Sequence, residues 1–398
     1  MKKESKILKE RLIKGGLMLS ASVTSITVIL IIVFLFTEGT ALFRQSPVEK
    51  GMVLQVSTKN KVDKLSAGEV KQIFDQELVN WSKVGGANDS ILLFRLDDIA
   101  NYYSEDLLGD EYQNVPFYLT RLLDSLPNMI AFVPEKYASK KARLLTVKPV
   151  SISGFLFGKE WFPSTQPASQ TGVLPLLIGT FLVSILAILF ALPFGLATAI
   201  YLSEIASKRV RTILKPIIEL LAGIPSVVYG FFGLVVVVPI IQKTFDLAVG
   251  ETALAGAIIL AIMALPTIIS ISEDALRSTP RSLREASLSL GATQWQTIYR
   301  VVIPYASSGI TAAIMLGVGR AIGETMAVIM VTGNAAVIPH TILEPVRTIP
   351  ATIAAELGEA PQGGIHYQAL FALGAILFMF TLLINISVQY ITKRRQTK

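Results

Sequence analysis

The sequence predicts an all-α polytopic membrane protein of six transmembrane helices, with a small extracytoplasmic α/β domain inserted between helices 1 and 2. Three observations carry this. Of 398 residues, 52% are hydrophobic and 16% charged, whereas a soluble globular chain has about 45–50% apolar and about 25% charged residues. Six apolar runs reach the length of about 20 residues that a helix needs to cross a hydrocarbon core of about 30 Å. Basic residues gather in alternate links between those runs, the bias that sets orientation in a bilayer. The same clustering accounts for the net charge of +7, so no nucleic-acid role follows from it. With no cysteine, and with His340 and His366 far apart, the chain offers neither disulfides nor a thiolate metal site.

Lys2, Lys3, Lys6, Lys9, Arg11 and Lys14 precede an apolar run from Gly15 to Phe36. That run is too long for the core of a cleaved signal peptide, and Thr37-Glu38-Gly39-Thr40 offers no small-residue cleavage pattern. Residues 1–40 are therefore read as a cytosolic N-terminus and a retained first helix. Residues 45–150 have balanced charges, turn signals and short apolar clusters. They predict a helix around 66–78, a strand near 91–95, a helix around 115–126 and a strand near 129–133. Further spans are expected at about 172–202, 214–241, 252–272, 304–332 and 368–391. Lys208, Arg209, Arg211 and Lys215 fill the link after the second span, and Arg277, Arg281, Arg284 and Arg300 the link after the fourth. Lys393, Arg394, Arg395 and Lys398 form the tail. These segments, and both termini, come out cytosolic, while residues 37–170, 242–251 and 333–367 fall outside.

Pro193, Pro225, Pro239 and Pro266 interrupt the spans. In lipid such breaks are tolerated where neighbouring helices or waters satisfy the freed carbonyls, which predicts a packed bundle around a pathway. Gly223, Gly230 and Gly233 on the third span, and Gly317, Gly319 and Gly323 on the fifth, are expected to allow close helix approach. The run Gly317 to Gly323 is not a dinucleotide fingerprint, because its last two glycines stand one residue too far apart and no strand precedes it.

The fifth span holds the charges. Arg320 and Glu324 fall one helical turn apart inside an apolar segment, where each costs at least about 2.5–3.5 kcal/mol. At i and i+4 they either pair with each other, or Arg320 faces a pathway as a transient oxyanion site while Glu324 holds it in place. A guanidinium suits tetrahedral oxyanions because its fork donates two parallel hydrogen bonds. Thr325 adds a hydroxyl, and Asn334 is placed near the outer mouth.

Between the fourth and fifth apolar runs, Arg284 to Pro304 (REASLSLGATQWQTIYRVVIP) is amphipathic, with Leu283, Ala286 and Leu290 before a Gly291 break and then Trp295, Ile298 and Val302. A helix broken at a glycine can lie along a membrane surface and offer one face to another protein. Glu285, Ala286, Gly291 and Val301-Val302-Ile303-Pro304 resemble the EAA loop of ABC importer permeases, with Ser287 in place of the usual second alanine and Val301 in place of the usual isoleucine. The resemblance implies the type I ABC importer permease fold, and makes 280–304 the segment that docks on a cytosolic ATPase through Glu285, Ala286, Gly291, Ala292 and Trp295.

Three further stretches narrow the resemblance: Glu219 to Gly233 (ELLAGIPSVVYGFFG), Glu273-Asp274-Ala-Leu-Arg277, and Gly319 to Val328 (GRAIGETMAV) followed by Gly333-Asn334. Together they resemble the membrane subunits of the phosphate-specific ABC importer, PstC-type over PstA-type, across a permease core of 168–398. Gly223, Pro225 and Gly323 are its expected helix-break and packing positions. The resemblance implies a PstA-type second permease subunit, a PstB-type cytosolic ATPase homodimer and a PstS-type extracytoplasmic phosphate-binding protein. No phosphate-binding G-x-x-x-x-G-K-[ST] loop occurs in the chain, since Gly154 to Lys159 has the wrong spacing, so ATP is hydrolysed on another chain. No cofactor is implied. Import of molybdate, sulfate or phosphonate, or a membrane phosphate sensor without flux, remain the alternatives.

The insert carries its own resemblance. Glu69 to Phe74, Asn80 to Gly86, Ile91 to Arg95, Met129 to Val133 and Tyr137-Ala138 are similar to one lobe of the phosphate-binding protein. In that family the strand's arginine is followed by a Ser-Gly-Thr that cradles the anion. Here Asp97 and Asp98 follow Arg95, and two carboxylates repel phosphate. The expectation is a lobe that has lost its ligand and serves docking or gating.

Overall fold

The computed structural model describes residues 2–396, and its helices include six long and apolar enough to cross a membrane: Ile13–Arg44, Leu174–Ile205, Ser226–Thr244, Ala253–Arg277, Gln294–Gly323 and Ile365–Ser387. Lys398 of the basic tail lies outside the described residues, as do the side chains of residues 1–12 and 391–398. The chain divides into two compact units.

The first unit joins helix α1 (Lys2–Ala41), the insert and the start of the last helix. A four-stranded sheet lies in the insert: β1 (Met52–Val56), β2 (Leu92–Arg95), β3 (Met129–Pro134) and β4 (Arg143–Leu144), in the order β2-β3-β1-β4. Strand β3 pairs antiparallel with β1, Met52 opposite Pro134, and parallel with β2, Leu92 opposite Met129. Successive side chains of a strand point to opposite faces, and both faces of β3 are covered. Ile130 and Phe132 meet Val70, Ile73 and Phe74 of helix α2 (Ala67–Phe74), while Met129, Ala131 and Val133 share a core with Val115, Leu119 and Leu123 of α3 (Val115–Ser125). This explains the unbroken apolar run of β3, since alternation appears only where one face meets water. Helix α2 opens on a capping box, in which the Ser66 N–H donates to Glu69 Oε2 at 2.7 Å and the Glu69 N–H to Ser66 Oγ at 3.2 Å.

The second unit holds α4 (Leu174–Ile200), α5 (Lys208–Ala222), α6 (Ser226–Phe232), α7 (Val238–Thr244), α8 (Ala253–Arg277), α9 (Arg281–Ser289), α10 (Gln294–Thr297), α11 (Ile303–Gly323), α12 (Met326–Val331) and α13 (Ile349–Glu356). The rest of helix α14 (Ile365–Gln396) completes it. Helix α8 is the most buried of the spans and carries the core, with Ala255, Ile259, Leu260 and Met263 packed on Val183 and Ala187 of α4 and on Val328 and Val331 of α12.

Two expected spans are cut differently from the sequence reading. The third begins at Ser226, not near 214, and residues 208–222 form a separate helix with no buried residue. Pro225 causes the break, because it has no N–H to donate and pushes the residue before it out of the helical region. The Tyr229 hydroxyl donates to the Leu221 carbonyl at 2.8 Å, satisfying one group the break sets free. The fifth span stops at Gly323 instead of running to 332: Glu324 is extended, with φ −71° and ψ 135°, and α12 restarts at Met326.

Candidate functional site

Close contacts fix the depth of this break. A Cβ on Gly309 would stand 2.4 Å from Ala275 Cβ, one on Gly317 3.0 Å from Ile268, and one on Gly256 2.5 Å from Thr332. The segment α11–α12 therefore runs antiparallel along α8, and Arg320 falls level with Thr267, near the middle of Ala253–Arg277. Its Nη1 donates to Thr267 Oγ1 over a long 3.5 Å. Among the described residues no carboxylate lies within ion-pair distance of Arg320. A half-buried guanidinium thus stands at mid-depth beside a helix break with one weak hydroxyl partner. Irregular backbone at such depth is tolerated only where it is buried in protein or lines a water-filled cavity.

The other pathway candidates do not gather around it. Glu324 is not the helical i+4 neighbour of Arg320, because the helix ends between them. Its Oε1 instead accepts from the Ala327 N–H at 3.4 Å, capping the first turn of α12. The Thr325 hydroxyl donates to the Gly323 carbonyl at 3.3 Å. Asn334 follows α12 in a left-handed pair with Gly333, at φ 52° and 75°. It lines a cavity of about 410 Å³ with Val249, Glu251, Ile329, Met330, Gly333 and Pro345, and its Oδ1 is buried without a hydrogen-bond partner. Neither Arg320 nor Glu324 lines that cavity.

The glycines divide by role. A Cβ on Gly230 would meet Met330 Sδ at 2.7 Å and Ala327 Cα at 3.0 Å, and one on Gly233 would meet Ile259 and Val331 at 2.7 Å, so both admit close packing. Gly319 and Gly323 have nothing within 4 Å, and Gly223 meets only its own turn. Among the described residues of this chain, no other helix approaches them. Gly223, with Pro225, and Gly323 sit at the two helix breaks.

The amphipathic segment after α8 is a helix, a turn and a helix. Helix α9 starts after Pro280 and ends at Leu290; Gly291 takes φ +85°, which only glycine adopts without strain. Thr293 then caps α10 in a capping box with Gln296. Arg284 anchors α9, its Nη2 reaching Glu204 Oε1 at 2.8 Å and the Leu276 carbonyl at 2.9 Å. Gln294 Nε2 adds a bond to the Glu204 carbonyl at 3.0 Å, and Ser287 and Thr297 share a hydroxyl contact at 2.9 Å. The outward side carries Glu285 and Ala286, with Leu288 49%, Leu290 89% and Trp295 60% exposed, while Ala292 is half-buried.

Two anchoring carboxylates escaped the sequence reading. Glu204 ends a π-helical turn, Tyr201–Ile205, after α4. Glu273, 1% exposed, sits between Arg211 at 2.6 Å, Lys215 at 3.4 Å and Arg277 at 3.6 Å. Burial works against the Lys215 ammonium, but Glu273 and Asp274 outweigh it and raise its pKa above the ordinary 10.5. The signal was present in both cases as a carboxylate at the end of an apolar run, next to a basic link.

Residues 191–397 match the family of binding-protein-dependent transport system inner membrane components. The probable ABC transporter permease protein YqgH of Bacillus subtilis (strain 168) is 43% identical over 250 residues, covering 63% of this chain and 81% of that one. The phosphate transport system permease protein PstC of Mesorhizobium japonicum is 40% identical over 259 residues, 60% of this chain and 78% of that one. A solved inward-facing methionine ABC transporter, MetNI, matches at 20% identity with a TM-score of 0.43, over 56% of this chain and 96% of that one.

Proposed function

This chain belongs to the family of binding-protein-dependent transport system inner membrane components, and from that premise we propose that it is the permease subunit through which an ATP-driven importer moves inorganic phosphate across the cytoplasmic membrane. The relatives named for phosphate transport support the substrate. The observation that carries the reading at the level of residues is Arg320, a guanidinium at mid-depth with no carboxylate beside it among the described residues and a helix break next to it. Its fork presents parallel donors to a tetrahedral oxyanion. A site without a fixed counter-ion attracts the anion, and one without a full ring of donors releases it.

The chain is not itself the ATPase, since it holds no phosphate-binding Walker loop. ATP-driven closure of a separate ATPase dimer pushes on the segment around Glu285, Gly291 and Trp295, and the push rocks the helices so that phosphate passes Arg320. A second permease subunit completes the pathway, and an extracytoplasmic binding protein delivers the ion. The alternation of basic links supports a topology with both termini and the 280–304 segment in the cytosol and residues 37–170 outside.

In the insert, residues 45–150, we read a binding-protein-like lobe that no longer takes phosphate. Asp98 Oδ2 accepts from the Arg95 N–H at 2.7 Å, and Asp97 and Asp98 fill the first turn of the 3₁₀ helix after β2. The Arg95 guanidinium is turned over the Phe74 ring, 5.6 Å from its centroid. An anion there would meet two carboxylates. Titration calorimetry of the insert with phosphate should show no micromolar binding; a micromolar isotherm removes this reading.

The transport reading is tested by ATP-dependent uptake of labelled phosphate into proteoliposomes holding the complex with and without this chain. Uptake that needs the chain, and that excess molybdate, sulfate or phosphonate does not displace, supports it. Uptake without the chain, or flux of one of those competitors in place of phosphate, refutes it.

A further inference from the structure

Glu273 lies one turn before the Arg277 end of α8, and three cations enclose it. Arg211 Nη2 and Arg277 Nη1 approach Oε1 at 2.6 and 3.6 Å, and Lys215 Nζ approaches Oε2 at 3.4 Å and Asp274 at 3.3 Å. Two of these cations come from α5, a helix that buries no residue of its own. Its apolar stripe, Val210, Ile213, Ile217 and Leu220, stays exposed. Ion pairs from Arg211 and Lys215 thus tie α5 to α8.

The two helices lead to different places. Helix α5 passes through the Gly223–Pro225 break into the third span, whereas α8 passes through Ser278–Pro280 into α9, the outward-facing coupling segment. Arg284 ties α9 in turn to Glu204 and to the Leu276 carbonyl, three residues past Glu273. We propose that Glu273 is a positioning residue: its charge joint makes α5, and with it the third span, follow α8 and α9 when the ATPase moves the coupling segment. This rests on the permease reading above. Removing the carboxylate leaves three cations without their shared anion and frees α5 from α8, so the coupling segment moves without the third span.

The test uses the reconstituted complex and reads phosphate moved against ATP hydrolysed. In Glu273→Gln, phosphate moved per ATP falls by about ten-fold or more, while ATP hydrolysis stays within about two-fold of wild type. Glu273→Asp, which keeps the charge, recovers part of the loss. Because the chain has no cysteine, the double variant Arg211→Cys with Glu273→Cys can be bridged by a short bis-maleimide. It is uncoupled before bridging and recovers coupling after it, which a role in folding alone would not produce. If Glu273→Gln does not assemble, the double variant bridged in the membrane gives the decision. Wild-type stoichiometry in Glu273→Gln, or no change on bridging, overturns the proposal. A wild-type complex that moves no phosphate removes the permease reading itself, and the proposal with it.

Discussion

Arg320 and Glu324 read as a pair from spacing alone, and the structure separates them. Spacing of i and i+4 brings side chains together only while the helix continues, and Glu324 has left it to cap α12. Glu324→Ala should therefore cost what a lost cap costs, about 0.5–2 kcal/mol, read as a lower thermal midpoint in detergent. Lys215 offers a second check. A pKa raised on folding gives stability that is fully present below 10.5 and is lost only as pH rises through the folded value. The midpoint difference between wild type and Lys215→Met should thus stay constant from neutral pH up to about 10.5 and shrink above it. A difference that changes near neutral pH would place the stabilisation elsewhere. Glu204 and Glu273 could be marked in the sequence but not paired, because Arg284 and Arg211 are distant in sequence and only the packed helices bring them together.

At the scale of elements, the amphipathic segment 280–304 was the most legible part. Its amphipathic pattern, the Gly291 break and the exposed Leu290 and Trp295 all follow from local residues. A Cβ on Gly291 meets nothing within 4 Å, so Gly291→Ala adds backbone strain alone, of about 1–2 kcal/mol. We expect it to weaken ATPase association by up to about ten-fold while leaving helix content unchanged, measured by titrating the ATPase onto the chain in detergent. Gly230→Val is the opposite case, since its side chain would press on Ala327 Cα. It should destabilise the α6–α12 contact by about 1–3 kcal/mol, seen as a lower thermal midpoint. Which of the marked prolines and glycines would end a helix was harder to tell, because a proline in a span can be absorbed, as Pro193 is inside α4 and Pro266 inside α8. Where the chain breaks depends on what can satisfy the freed groups, such as the Tyr229 hydroxyl.

At the scale of the whole molecule, six spans and an inserted sheet domain were legible from different signals: long apolar runs for the spans, and short apolar clusters between turn signals with balanced charge for the insert. Strands β1 and β4 were not anticipated, since β4 has only two residues and β1 pairs with a strand far along the chain. The assembled account makes one demand, that phosphate crosses beside a guanidinium that no carboxylate among the described residues neutralises. The most direct measurement is labelled-phosphate flux through the reconstituted complex carrying Arg320→Gln, beside wild type, with ATP hydrolysis recorded in the same vesicles. The account predicts flux lower by about a hundred-fold, the loss expected from a charge-assisted bond of about 3 kcal/mol, with the complex assembled and the ATPase active. Flux equal to wild type would contradict it.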